Sequence, residues 1–226
     1  MDTSVFTDAF DEWTDATLEW VSENGESLFD YVRLVLEGLY NGILWLLELP
    51  PFYLVAVLVA LVGWWLVNRW FAVLSGLALV LCYAMGLWPE TMSTLALVLT
   101  ATVMALVIGI PIGIAAGFFT ALDRFMEPGL DLIQTLPPYI YLLPAIALLG
   151  YGPATALIAT VVVAIPPAIR LTSLGIRMTP HEFLELGEAI GMTPRKMFFK
   201  IRLPFALPRI MAGVNQSLMM AFGMVV

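Results

Sequence analysis

Residues 132–169 read LIQTLPPYIYLLPAIALLGYGPATALIATVVVAIPPAI, a stretch of 38 residues without a charged side chain. A helix needs about 20 apolar residues to cross the hydrocarbon core of a bilayer. The stretch is therefore too long for one crossing, and the turn-forming sequence Gly150-Tyr-Gly-Pro153 divides it into two crossings of ordinary length. Because backbone polar groups must be paired inside lipid, we expect both crossings to be helical.

Four other apolar runs are long enough to cross a membrane; three have no charged side chain, and the fourth has Arg209 near its start. The composition agrees, because 61% of the residues are hydrophobic and only 12% are charged, against about 25% charged residues in soluble domains. The sequence therefore predicts an all-α fold, a polytopic transmembrane helical bundle with six crossings, and excludes a soluble domain. The four other runs are Leu49–Asn68, Trp70–Pro89, Thr91–Leu122 and Phe205–Val226.

The net charge of −8 belongs to the start of the chain and not to its body. Nine of the eighteen acidic residues lie within the first 30 positions, which contain no Lys or Arg. We interpret residues 1–26 as an acidic tail, and we expect no nucleic-acid partner. A cleavable signal peptide would begin with basic residues, and none is visible here.

Residues 27–48 combine a polar face with an apolar one. Asp30, Arg33, Glu37 and Asn41 recur at steps of three and four, which places them on one side of a helix. This pattern predicts an amphipathic helix that lies in the outer membrane interface. The alternative is a further transmembrane helix, which the three charges in its first half disfavour.

The basic residues predict the orientation. If the N-terminus lies outside, nine Lys and Arg residues fall in the inside loops and only Arg33 falls outside. This is the distribution that the positive-inside rule requires. We therefore expect the N-terminus to lie outside and residues 171–204 to lie in the cytoplasm.

The segment 171–204 is a charged island between two apolar stretches. Thr179-Pro-His-Glu182 has the pattern of a capping box, and it predicts a helix that stops at Gly191. Thr193-Pro194 predicts the start of a second short helix, which Leu203-Pro204 would end. Two short amphipathic helices suit the groove of a soluble partner. Physical reasoning alone leaves open that they lie on lipid headgroups instead.

The spacing inside this island carries a family resemblance. Glu185-Leu-Gly-Glu-Ala-Ile-Gly191 is followed, after nine residues, by Ile201-Arg-Leu-Pro204. This arrangement resembles the cytoplasmic EAA loop of ATP-binding-cassette (ABC) importer permeases, which docks onto the ATPase subunit. The departure is Leu186-Gly187, where that family usually has two alanines. The resemblance implies that the coupling residues are Glu185, Gly187, Glu188, Ala189, Gly191, Phe198, Ile201, Leu203 and Pro204.

The resemblance extends from about Met92 to Val226 and is closest to the quaternary-amine branch. Residues 92–226 therefore resemble the type I importer permease core, apparently incomplete at its C-terminus, and the two crossings within 49–91 precede it. The segments that are similar include Gln134–Pro144, Ile165–Arg170 and Met211–Ser217.

The resemblance also implies the partners and the transported solute. Two permease copies would pair with two ATPase subunits, which hold ATP and Mg²⁺, and with a periplasmic binding protein. The solute would be an osmoprotectant such as glycine betaine, proline betaine or trimethylamine N-oxide. The alternatives are an importer permease for another small solute, such as an amino acid, and a structural or passive-channel membrane protein without an ATPase.

The chain has none of the motifs of an enzyme. It contains no P-loop, no nucleophile motif and no cluster of metal ligands. We therefore expect no catalytic residues, no metal site and no cofactor bound by this chain.

Glycines and prolines inside the apolar runs suggest packing and pathway roles. Gly109, Gly113 and Gly117 recur every four residues, which predicts a close helix contact. Prolines interrupt the fourth crossing, and broken helices at membrane depth often line a pathway. A packed kink is the alternative. The candidates for a pathway or gate are Pro137, Pro138, Tyr139, Tyr141 and Pro144.

Overall fold

The computed structural model describes the backbone of residues 3–225 and the side chains of residues 25–225. Within residues 3–225 every regular element is a helix, as the sequence predicts. The helices are α1 (Thr3–Glu48), α2 (Phe52–Leu66), α3 (Arg69–Ala84), α4 (Trp88–Phe118), α5 (Thr120–Thr135), α6 (Tyr139–Leu149), α7 (Pro153–Arg177), α8 (His181–Ala189), α9 (Pro194–Met197) and α10 (Leu203–Val225).

Two of these helices, α4 and α7, are long and apolar enough to cross a membrane by length and composition. The number rises to four if two bent pairs each form one crossing, namely residues 25–48 with α2 and α5 with α6. The apolar helix α3 is shorter, with 16 residues. The count of six crossings therefore stays a prediction.

The fourth predicted crossing, residues 132–149, is not one straight helix. Its first residues end α5, and the chain then turns by 94° before α6 begins at Tyr139. Pro137 and Pro138 explain the break, since proline lacks an amide hydrogen and disfavours the α conformation of the residue before it. Helix α6 has 11 residues and is about 16 Å long, about half the thickness of the hydrocarbon core.

Helices α4, α7 and α10 form the centre of the bundle. Helix α4 meets α7 at Gly109, Gly113 and Gly117, where the backbones approach too closely for a side chain. A Cβ atom at Gly113 would lie 2.7 Å from the carbonyl oxygen of Ile169, and one at Gly109 would lie 2.7 Å from the Cβ of Ala168. The small-residue pattern in the sequence therefore coincides with this contact.

A second close contact joins α7 to α10. A Cβ atom at Gly175 would lie 3.1 Å from the carbonyl oxygen of Ala206, and one at Gly213 would lie 3.2 Å from the Cβ of Leu171. The two helices therefore run antiparallel. No sequence pattern indicates this contact, because each helix contributes a single glycine to it and no repeating motif.

Helix α1 lies across one end of this bundle. Its side chains Leu36 and Tyr40 are buried among residues near the starts of α4 and α7, including Ala96 and Leu157. The segment 25–48 makes an angle of 85° with α2, which is the geometry expected of an interfacial helix beside a crossing. The helix is continuous through residue 26, so the predicted boundary between acidic tail and amphipathic helix is not a helix end.

The glycine contact yields a stability prediction. Gly113→Leu should lower the stability of the bundle by about 1–3 kcal/mol, because the new side chain has no space against α7. Ala115→Leu changes a half-buried neighbour on another face of α4 and should cost less. Thermal unfolding of both variants in detergent measures the difference. Equal losses would contradict a specific backbone contact at Gly113.

Candidate functional site: the loop between α7 and α10

The start of α8 differs from the sequence prediction. The Thr179 hydroxyl is buried and donates a hydrogen bond of 3.0 Å to the carbonyl oxygen of Ile176, at the end of α7. Pro180 stands at the N-cap of α8, and no side chain caps the helix. The predicted capping box is therefore wrong, because its threonine closes the preceding helix instead.

Helix α8 ends just before Gly191, and this glycine has the left-handed backbone conformation that the sequence predicts. Gly191 has φ +70°, a conformation that glycine adopts without a steric cost. Its amide donates to Glu188 at 2.9 Å, and the amide of Met192 donates to Gly187 at 2.9 Å. These two hydrogen bonds form a Schellman motif, which satisfies the last carbonyl groups of α8.

The second helix begins as predicted but does not end where expected. The Thr193 hydroxyl accepts a hydrogen bond of 3.4 Å from the amide of Lys196, which caps α9. A π-helical segment, Phe198–Arg202, then leads directly into α10. The prediction that Leu203-Pro204 ends this helix is wrong. The wider π-helical turn before Pro204 shifts the carbonyl groups with which a proline ring collides in a regular α-helix.

Part of the predicted coupling set faces inward and attaches the loop to the bundle. Gly187 is buried, and a Cβ atom there would lie 3.1 Å from side-chain atoms of both Met197 and Ile201. Phe198 and Leu203 pack against a buried cluster formed by Ile176, Ala206 and Ile210. These residues hold α8, α9 and the bundle together as one packed unit.

The other part of the predicted set faces outward. Glu185, Glu188, Ala189, Gly191 and Pro204 are exposed. Two apolar side chains lie exposed beside the glutamates, Leu186 at 56% and Ile190 at 62%. Their spacing of four residues places them on one face of α8. The sequence reasoning treated Leu186 only as a departure from the family motif and did not identify it as part of an exposed apolar pair.

The charges of the loop are divided between its two helices. Helix α8 carries the exposed carboxylates Glu182, Glu185 and Glu188, and Glu185 lies 3.0 Å from the Nδ1 of His181. The segment 195–200 carries exposed basic side chains. An exposed apolar pair on an acidic helix, followed in the chain by a basic segment, can bind a groove in another protein that has matching charges.

The structure does not bring the predicted pathway residues into one site: Tyr141 and Pro144 line one cavity, and Pro138 and Tyr139 line another. The Tyr141 hydroxyl donates to the carbonyl oxygen of Ile133 at 2.8 Å, which attaches α6 to the end of α5 and gives this tyrosine a structural role. Pro144 lies inside α6 and contributes to an apolar cavity beneath α1. Tyr139 and Pro138 line a different cavity of about 340 Å³ beside Thr160 and the end of α10. Pro137 lies in the break between α5 and α6.

A set of ion pairs near this loop was not predicted. Asp123 of α5 lies 2.8 Å from the Arg177 guanidinium and accepts a hydrogen bond from the Ser173 hydroxyl at 2.8 Å. Asp131 pairs with Arg170 on the same two helices. The sequence reasoning used these arginines only to count charges, since residues about 40–50 positions apart show no local pattern. Among the described residues, no group of acidic, histidine and cysteine side chains could hold a metal ion.

Comparison with known proteins identifies one matching family and several similar transport permease proteins. Residues 109–226 match the family described as binding-protein-dependent transport system inner membrane component. The chain is 38% identical over 216 residues to the glycine betaine/proline betaine transport system permease protein ProW of Escherichia coli (strain K12), covering 96% of this chain and 61% of that protein.

Two further relatives are similar over most of this chain. The glycine betaine transport system permease protein OpuAB of Bacillus subtilis (strain 168) is 38% identical, over 94% of this chain and 75% of that protein. The trimethylamine N-oxide transport system permease protein TmoV of Pelagibacter ubique (strain HTCC1062) is 36% identical, over 79% of this chain and 25% of that protein.

The left-handed glycine yields a second prediction. A Cβ atom at Gly191 would meet nothing within 4 Å, so a substitution there costs only backbone strain. Gly191→Val should destabilise the loop by roughly 1–2 kcal/mol, whereas Gly191→Asn should cost less, because asparagine tolerates this conformation. The rate of limited proteolysis between α8 and α9 measures the effect. Equal rates for the two variants would contradict the strain argument.

Proposed function

This chain belongs to the family of binding-protein-dependent transport system inner membrane components, and we propose that it is the membrane-spanning subunit of an ATP-driven importer. The observation that carries the proposal is the loop between α7 and α10. It presents an exposed apolar pair flanked by carboxylates, while its inner residues pack against the bundle. Such a loop can receive force from a partner and pass it to the membrane helices.

We infer that the solute is a quaternary or methylated amine of the osmoprotectant type. The names of the relatives include glycine betaine, proline betaine and trimethylamine N-oxide. All three are small compounds with a fully substituted nitrogen and a negatively charged oxygen. A periplasmic binding protein would deliver the solute to this subunit.

The loop geometry supports a specific coupling path. Docking of the outward face of α8 onto an ATPase would use Glu185, Leu186 and Ile190. Because α9 continues through the π-helical segment into α10, a displacement of the loop moves α10 directly. Contacts of Phe198 with Phe118, whose ring centroids lie 5.9 Å apart, carry the displacement to α4 as well.

The proposed assembly has two copies of this subunit and two ATPases. ATP with Mg²⁺ would bind to the ATPases and draw them together, and the docked loops would move the two permease copies between outward- and inward-facing states. The chain itself is then a transport subunit and not an enzyme. In this assembly the loop lies in the cytoplasm, and α1 lies at the periplasmic side of a bacterial inner membrane.

Purification of the complex tests the central proposal. A tagged form of this chain should retain the ATPase encoded with it, and reversal of charge at Glu185 should weaken that retention. Glu185→Lys places a cation where the docking face presents a carboxylate, so we expect a loss of affinity of about tenfold or more. Glu48→Lys makes the same charge change at the opposite end of the bundle and serves as the control.

Three outcomes of that purification are informative. Retention by the native chain and by Glu48→Lys, but not by Glu185→Lys, supports the docking role. Equal retention by all three forms would show that Glu185 is not in the contact. No ATPase with any form would favour a passive channel or a structural protein.

Orientation has its own test. Single cysteines at Ser27 and Thr193, both exposed positions, are placed in a Cys82→Ala background. A membrane-impermeant thiol reagent added to intact spheroplasts should label Ser27→Cys and not Thr193→Cys. Labelling of neither would mean that residues 27–48 cross the membrane, which would place the start of the chain inside.

A further inference from the structure

The side of α10 that faces away from the bundle is exposed and carries an amide group. The buried side of this helix consists of Ala206, Ile210, Gly213, Ser217 and Ala221. Pro208, Ala212, Asn215 and Met219 are all exposed. Each of these four lies two positions from a buried residue, about 200° around the helix, so together they form the opposite side. We call these four residues the outer face of α10.

Asn215 lies level with the middle of α7. A Cβ atom at Gly213, two residues before it, would lie 3.3 Å from the carbonyl oxygen of Pro167. Ala221, six residues after it, belongs to the same buried cluster as Ala164. Both contacts are close to the middle of α7, which is long and apolar enough to cross a membrane. The Asn215 amide therefore lies at the depth at which a polar group without a hydrogen-bond partner costs most.

The residues of the outer face have the spacing of a helix-packing seam. Pro208, Ala212, Asn215 and Met219 follow one another at steps of four, three and four residues, which is the repeat that lets two helices pack along their length. Ala212 is small enough for a close approach of another helix, and the apolar Met219 side chain is 64% exposed. A single asparagine in such a seam fixes the register of the helices and their number. The outer face therefore has the composition of a contact between helices.

The chemistry of the outer face selects a second copy of this chain as its partner. Residues 210–225 contain no charged side chain, so the partner at this depth is an uncharged membrane helix. An amide group both donates and accepts hydrogen bonds, which makes Asn215 complementary to another Asn215. A two-fold axis along the membrane normal gives both copies the same orientation, so identical residues near the axis meet at the same depth.

We propose that two copies of this subunit meet through the outer face of α10, and that their Asn215 side chains hydrogen-bond to each other at the two-fold axis. The proposal rests on the two-copy assembly proposed above and adds the surface that joins the copies. Helix α10 also continues from the docking loop through the π-helical segment. A displacement of the loop by the ATPase would therefore act directly on the contact between the copies.

Disulfide cross-linking in membrane vesicles tests the surface. Ala212→Cys places a thiol on the outer face, and Val107→Cys is the control on α4, where it is 67% exposed. The two positions lie at similar depth, because a Cβ atom at Gly109 would lie 3.4 Å from the carbonyl oxygen of Ile165. Both variants are made with Cys82→Ala in the native transporter and oxidised with copper phenanthroline. Ala212→Cys should link two copies about tenfold faster than Val107→Cys or more, since a disulfide needs Cα atoms within about 7 Å.

Three results would overturn this surface. Equal rates for the two variants would mean that the disulfides form in random collisions. No disulfide at Ala212→Cys, together with fast labelling by a membrane-impermeant thiol reagent, would mean that the outer face lines a water-filled passage. Neither disulfide nor labelling would mean that lipid or a different helix covers it. In each case, retention of the ATPase by the same variant would leave the transport function in place and remove only the assigned contact.

Substitution of the amide tests the hydrogen bond at the axis. In the Ala212→Cys background, Asn215→Leu should slow the formation of the disulfide about fivefold, the loss expected for one hydrogen bond between membrane helices. Asn215→Gln keeps an amide group in the seam and should slow it less. An unchanged rate in Asn215→Leu would overturn the amide pair even if Ala212→Cys links the two copies.

Discussion

The close approach of α4 and α7 is the constraint on which the rest of this structure depends. Cβ atoms at Gly109, Gly113 and Gly117 would each lie 2.7 Å from an atom of α7, so the two backbones are in contact with no side chain between them. Without a hydrophobic driving force between helices in lipid, such contact is a main source of association. It commits one face of α7 to α4. The contact at Gly175 and Gly213 packs a second face of α7 against α10.

The same contact links the bundle to the loop. Ile176 packs at Gly117 and also belongs to the buried cluster that receives Phe198 and Leu203. The loop is therefore attached to the helices at the point where they are most tightly packed. Close-packed groups transmit a displacement with little loss. Under the proposed coupling, this attachment would let a loop with a short exposed face move the bundle. Of the nine motif residues, Gly187 is buried, and Phe198, Ile201 and Leu203 are half-buried.

Charge is concentrated where α5 meets α7. Asp123 with Arg177 and Asp131 with Arg170 join the two helices along about 10 Å, judged from seven residues of α7. Exposed ion pairs contribute little to stability, so the main effect of these two pairs is to fix how α5 is oriented against α7. They hold the amphipathic helix α5 with its acidic residues toward α7 and with Phe125 and Leu132 exposed. The proline break after α5 then turns the chain by 94° before α6 begins at Tyr139.

The sequence by itself determined the class of the protein, the helical fold and the position of the charged loop between α7 and α10, because hydrophobic run length, helix-stop glycine and motif spacing are local signals. The turn at Gly191 and the break at Pro137–Pro138 follow from the chemistry of single residues in the same way. Only the tertiary structure decided which loop residues face inward, why Thr179 does not cap α8, and that α9 continues into α10. It alone brought Asp131 to Arg170 and Asp123 to Arg177. Those relations join helices that are distant along the chain, and the direction in which each helix faces is set by packing against its neighbours and not by its own sequence.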